Sequence, residues 1–202
     1  MSDNILILHP RNAHAVFEDI PTLINELKNA GFLGENKEIG EIRREEGKYY
    51  FKPGEHFFEL VKFQSSHKVL IIDGPNISPE EAEVVDSKTQ VYISISKPTE
   101  KVYYLGGFFF YKASCPKCGY QYELEFLSSW FEKNKFMLSE NCPQCGEEFF
   151  INDLDWQMRA GFGRQEIEIW GIHKDEAVPT ERLLKLLKEI TQIEWRYFFY
   201  RF

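Results

Sequence analysis

The 202-residue chain contains no apolar run near the ~20 residues that a membrane-spanning helix needs. Its early apolar stretch, Ile5-Leu6-Ile7-Leu8, is too short for the core of an export signal and has no basic lead. These absences predict a cytoplasmic protein. Also lacking are a glycine-rich phosphate loop, a nucleophile elbow and a Ser-His-Asp pattern. The five histidines, His9, His14, His56, His67 and His173, never stand in His-x-x-x-His or Glu-x-x-His spacing. No catalytic residue and no organic cofactor can be assigned from such a sequence. An enzyme would have to assemble its site by folding, for instance near Asp73, which ends an apolar strand before Gly74-Pro75-Asn76. Aspartate there is equally an ordinary turn residue.

Cysteine is scarce as well. There are four, and all fall in two echoing turns, Cys115-Pro116-Lys117-Cys118-Gly119 and Cys142-Pro143-Gln144-Cys145-Gly146. Proline after the first cysteine presets φ near −65°. Glycine after the second accepts positive φ, so backbone N–H groups can turn toward sulfur. Each pair thus offers two thiolates on one tight turn. Four thiolates suit a tetrahedral Zn²⁺ with Zn–S near ~2.3 Å. Such a site leaves no position for water, so its expected role is structural. Iron is the rival ion, because the same sulfur geometry accepts it. Two disulfides or four free thiols are the alternatives, and disulfides need an oxidising compartment.

The two turns resemble the knuckles of zinc ribbons and rubredoxin-like domains, over residues 115–146 only. That resemblance implies Cys115, Cys118, Cys142 and Cys145 as metal ligands and nothing about activity.

Net charge is −8. Between residues 114 and 153 three lysines face seven carboxylates, a net of −4 before any metal is bound. A surface of that sign repels phosphate and disfavours nucleic acid. It favours a basic protein partner. Hydrophobic residues make up 43% and aromatics 16%, enough for a real core.

Alternating runs at Tyr49–Lys52, His56–Phe63, Lys68–Asp73, Gln90–Ser96, Val102–Lys112 and Gln165–Ile172 predict strands. Helices are expected from about Ala13 with a restart at Pro21, after Ser78, after Ser129 and over Asp153–Ala160. The clearest covers Thr180–Gln192, with Leu183, Leu186, Leu187 and Ile190 in one stripe. The tail Trp195–Phe202 is aromatic on both faces, the composition of a central buried strand or of an interface. The expected class is α+β: a mostly antiparallel sheet, a few flanking helices and an inserted Cys₄ ribbon. The expected division is 1–113, 114–150 and 151–202, the last a strand–helix–strand unit. The function these features predict is that of a non-enzymatic interaction module, such as an adaptor, inhibitor or immunity-type protein. Nucleic-acid binding through the ribbon, or a site assembled from distant residues, are the other readings.

Overall fold

The computed structural model describes residues 4–37, 46–63, 91–106, 113–122, 139–172 and 177–201. The expected strand at Lys68–Asp73, the helices after Ser78 and Ser129, the Phe108–Tyr111 run, and Asp73, His67 and His173 lie outside them. The chain is α+β, mostly antiparallel sheet with three helices among the described residues.

Strand β1 (Asn4–Pro10) leads into α1 (Ile20–Asn29), then β2 (Leu33–Asn36) and β3 (Lys48–Pro53). Helix α2 (Phe57–Leu60) runs into β4 (Val61–Phe63), followed by β5 (Tyr92–Ser96) and β6 (Tyr103–Tyr104). Strands β7 (Ser139–Asn141) and β8 (Glu148–Phe150) form a hairpin, and β9 (Phe162–Gly163), β10 (Ile167–Trp170) and β11 (Ala177–Pro179) follow. Helix α3 (Glu181–Thr191) and strand β12 (Trp195–Arg201) come last.

Six strands form one antiparallel sheet in the order β12-β1-β10-β5-β3-β2. Strand alternation sorts its faces. Leu6, Leu8, Ile93, Ile95, Ile167 and Ile169 point to one side, where α1 and α3 cover them with Leu23, Leu27, Leu183 and Leu187. Each fully buried aliphatic side chain contributes about 1.5–3 kcal/mol. The other face carries Ser94, Ser96, Glu166 and Glu168, beside Ile5 and Ile7.

Both long helices start and stop by local chemistry. Asp19 accepts from Thr22 N–H at 3.1 Å and caps α1. Gly31, at φ +70°, then turns the chain out of it. The Thr180 hydroxyl caps α3, accepting from Leu183 N–H at 3.3 Å.

Three expectations change. His56–Phe63 is not one strand: Phe57 and Leu60, three apart, are both buried by a short helix before Val61 pairs with Pro179. Asp153–Ala160 is not a helix. A 3₁₀ turn over Ile151–Asp153 gives way to a bridge between Ser114 and Asp155, and this tertiary pairing pulls the backbone straight. The aromatic tail is not a central strand either. Among the described residues β12 is the sheet edge, with Phe198 buried against Ile5, Ile7 and Leu105.

Candidate functional site

The two cysteine turns are built alike. Cys115 N–H donates to Tyr120 O at 2.8 Å, and Gly119 N–H to Cys115 O at 2.9 Å. In the second turn Cys142 N–H donates to Glu147 O at 2.7 Å, and Gly146 N–H to Cys142 O at 2.8 Å. Gly119 and Gly146 have φ of +75° and +70°, the left-handed closure that only glycine adopts without strain. The β7–β8 hairpin holds the second turn, and an ion pair between Lys117 and Glu147 ties it to the first.

This folding brings all four sulfurs together. They lie within 4.8 Å of one another, and no disulfide joins them. Cys115 Sγ is 3.8 Å from Cys145 Sγ, and Cys118 Sγ 3.6 Å from Cys142 Sγ. A tetrahedron of sulfurs at ~2.3 Å from a central ion has edges of about 3.8 Å, so the spacing fits a metal. The electrostatics point the same way. The neighbouring sulfurs and partial burial hold the Cys118 thiol above its usual range, although the Tyr120 N–H favours its thiolate. Cys142 is pushed down instead: burial opposes ionisation, but the Cys145 and Gln144 N–H groups and the Tyr122 hydroxyl stabilise its thiolate. Four thiolates cannot share this space without a cation. The four cysteines can therefore hold a metal ion, consistent with a zinc-ribbon-like knuckle. Cys115 and Cys142 pack in a second core with Tyr122, Phe149, Leu154, Trp156 and Phe162.

A second polar cluster, absent from the sequence reading, sits on the face of the sheet away from α1 and α3. Lys48 Nζ on β3 lies 3.2 Å from Glu166 Oε1 and 2.8 Å from Glu168 Oε1. The outer carboxylate oxygens are also held. Tyr103 O–H donates to Glu166 Oε2 at 2.7 Å, while Ser94 O–H and Trp170 Nε1–H donate to Glu168 Oε2 at 2.5 and 3.0 Å. Burial and the charge of Glu168 raise the Glu166 pKa, against the opposing effects of Lys48 and Tyr103. Burial raises the Tyr103 hydroxyl, and Glu166 raises it further. One ammonium thus faces two carboxylates at the wall of a cleft of about 500 Å³, lined also by Ile5, Ser96, Lys97, Tyr104 and Tyr200. The signal in the sequence was Glu166-Ile167-Glu168-Ile169-Trp170, which alternates acid and isoleucine within the strand predicted over Gln165–Ile172. Its lysine partner stands 118 and 120 positions earlier, beyond any local pattern.

The three described histidines do not converge on either cluster. His9 is buried under Phe162, His14 is exposed, and His56 contacts Glu59 in a surface turn. No described helix is long and apolar enough to cross a membrane.

No protein-family model matches the chain, and no solved structure does. Among curated proteins it is similar to the type II restriction enzyme MjaII of Methanocaldococcus jannaschii, 31% identical over 133 residues. The match takes in 60% of this chain and 35% of that enzyme, so the chain spans about a third of the relative's length. This likeness overturns the expectation of a non-enzymatic interaction module. What the sequence shares with a curated protein, it shares with a restriction enzyme.

Proposed function

We propose that the chain is nuclease-like: it takes part in cleaving nucleic acid, with its four cysteines holding a structural zinc ion. The similarity to a restriction enzyme carries this reading. The cleft at Lys48, Glu166 and Glu168 is where the fold gathers groups suited to phosphodiester hydrolysis. Such a reaction needs a base for the attacking water, positive charge on the phosphoryl oxygens and a proton for the leaving oxygen. Glu168, aimed by the Ser94 hydroxyl and the Trp170 indole N–H, suits the base. Lys48 supplies the charge. Glu166, held toward its protonated form by burial and its acidic neighbour, suits the acid. The carboxylate pair is also a donor set that a hard divalent cation accepts. Zinc at Cys115, Cys118, Cys142 and Cys145 would do no chemistry, because protein fills every ligand position.

The test is incubation of the full chain with supercoiled plasmid DNA, with and without Mg²⁺, beside Glu168→Gln and Lys48→Met variants shown by circular dichroism to be folded. Nicked or linear product from the wild type, falling at least about 100-fold in Glu168→Gln, is the expected result. An inert wild type, or a Glu168→Gln variant that cuts equally well, would overturn the assignment.

A further inference from the structure

Arg196 lies on β12, directly opposite His9 on β1. Its Nε is buried and has no hydrogen-bond partner. Burial lowers the guanidinium pKa, and neighbouring Arg11 lowers it further, with Asp153 alone opposing. That aspartate does not bind Arg196. Its Oδ2 accepts from Phe150 N–H at 3.1 Å. Arg11, in turn, is widely exposed and only loosely paired with Glu194 at 3.6 Å. Two arginines thus stand near one another, one just past β1 and one on β12, the second partly desolvated with an idle Nε–H. Guanidinium is weakly hydrated and forked, which suits it to phosphate oxygens.

Beside this pair stands the most strained turn among the described residues. Gln157 and Met158 both have positive φ, +53° and +55°, a conformation that strains residues other than glycine. Arg159 N–H closes the turn onto Trp156 O at 3.1 Å, and Asp155 Oδ1 accepts from Gln157 N–H at 2.8 Å. Two left-handed central residues define a type I′ turn, which normally takes Asn-Gly. Here it carries glutamine and an exposed methionine, with arginine next. Met158 O accepts from Phe199 N–H at 3.1 Å, which fixes the turn to β12 three residues beyond Arg196. That separation is about 10 Å along a strand, roughly three base-pair rises of DNA.

We propose that this rim, Arg11 and Arg196 with the Gln157–Arg159 turn, is a docking surface for duplex DNA. The arginines take the phosphodiester backbone, and the strained turn presents Gln157 and Met158 to the groove. Apolar wedges and amide side chains are what proteins use there. The inference rests on the nuclease-like reading and gives that reading a substrate-holding surface. Asp153, Asp155 and Glu194 lie on the same rim. Glu194 is neutralised by Lys188 at 2.9 Å, and each aspartate spends one oxygen on a backbone N–H.

Fluorescence anisotropy with a labelled 20-base-pair duplex, on the full chain at 50 and 200 mM salt, tests the surface. Arg196→Gln should weaken binding about tenfold and reduce the salt slope by about one. Arg182→Gln, on α3 and paired with Glu59, should change neither. A second variant combines Gln157→Asn with Met158→Gly. It keeps the turn, removes the methionine side chain, draws the amide back by one methylene and relieves the strain, so it should melt higher yet bind the duplex more weakly. If Arg196→Gln does not fold, this variant decides. Wild-type affinity in both would sink the surface while leaving the nuclease reading intact. A loss seen for an acidic peptide but not for the duplex would also overturn it. A wild type that binds no duplex at either salt would remove both proposals.

Discussion

The cysteine cluster and the carboxylate cluster face the same electrostatic problem and answer it differently. Each gathers groups of one sign in little space. The sheet brings its own counter-charge, Lys48, and ties the outer oxygens with Tyr103, Ser94 and Trp170. Among the described residues the cysteine turns have no such partner. Lys117 pairs with Glu147 rather than with sulfur, so a metal ion is the counter-charge that the four sulfurs can hold. Order in the first cluster therefore follows from folding, whereas the second is proposed to depend on an ion.

Chelation breaks the comparison most widely. Structural zinc supplies about 10–16 kcal/mol of apparent binding energy in small modules. Its removal should open residues 113–122 and 139–163 while the six-stranded sheet persists, visible as early proteolysis confined to those segments. Cys142→Ser leaves three sulfur ligands and should lower zinc content on metal analysis. Equal zinc in that variant would show that the ligand assignment is wrong, and even proteolysis along the chain would show that the module does not depend on its ion.

Lys48→Met should have the next largest effect. It leaves two buried carboxylates without their ammonium, and breaking a buried pair costs about 3–5 kcal/mol. Urea unfolding at neutral pH reads the loss directly. The penalty should shrink as pH falls, because Glu166, whose pKa is already raised, then takes up a proton in the folded state. Adding Glu168→Gln to Lys48→Met should recover part of the stability. A Lys48→Met variant as stable as wild type would mean that the cluster is solvated rather than self-neutralised.

The two regions also differ in how much of them a sequence can announce. The cysteine turns are local, so proline, glycine and sulfur at fixed offsets were enough to bring all four cysteines together. Helix α3 was legible for the same reason, through Thr180 and its leucine stripe. The carboxylate cluster joins residues 118 and 120 positions apart, and only sheet order brings them into contact. The Asp153–Ala160 segment misled because Asp155 pairs with Ser114 and Trp156 Nε1–H donates to Ile151 O, long-range and side-chain bonds that outweigh helical propensity. Net charge is a different kind of signal, because a total of −8 does not locate charge and says nothing about a rim where two arginines lie together.

His9 tests the seam between the regions, and its effect is the smallest. It lies on β1 in the sheet, yet its Nδ1–H donates at 3.1 Å to Phe162 O, whose side chain belongs to the cysteine-bearing core. Burial, reinforced by Arg196, lowers its pKa from 6.5 to about 3. The native state therefore keeps His9 neutral while the unfolded chain protonates it below about pH 6.5. More protons on the unfolded side mean that stability falls as pH drops through that window, by up to about 1.4 kcal/mol per unit. Glu166 acts with the opposite sign, since its raised pKa makes the folded state the better proton acceptor. Unfolding between pH 6.5 and 5, where most carboxylates stay ionised, isolates the histidine. His9→Asn keeps an N–H donor for Phe162 O but cannot titrate, so its stability should decline less steeply than that of the wild type over the same range. An unchanged slope would mean that His9 is reached by water and protonates in place, and the join between sheet and cysteine module would then be looser than their shared hydrogen bond implies.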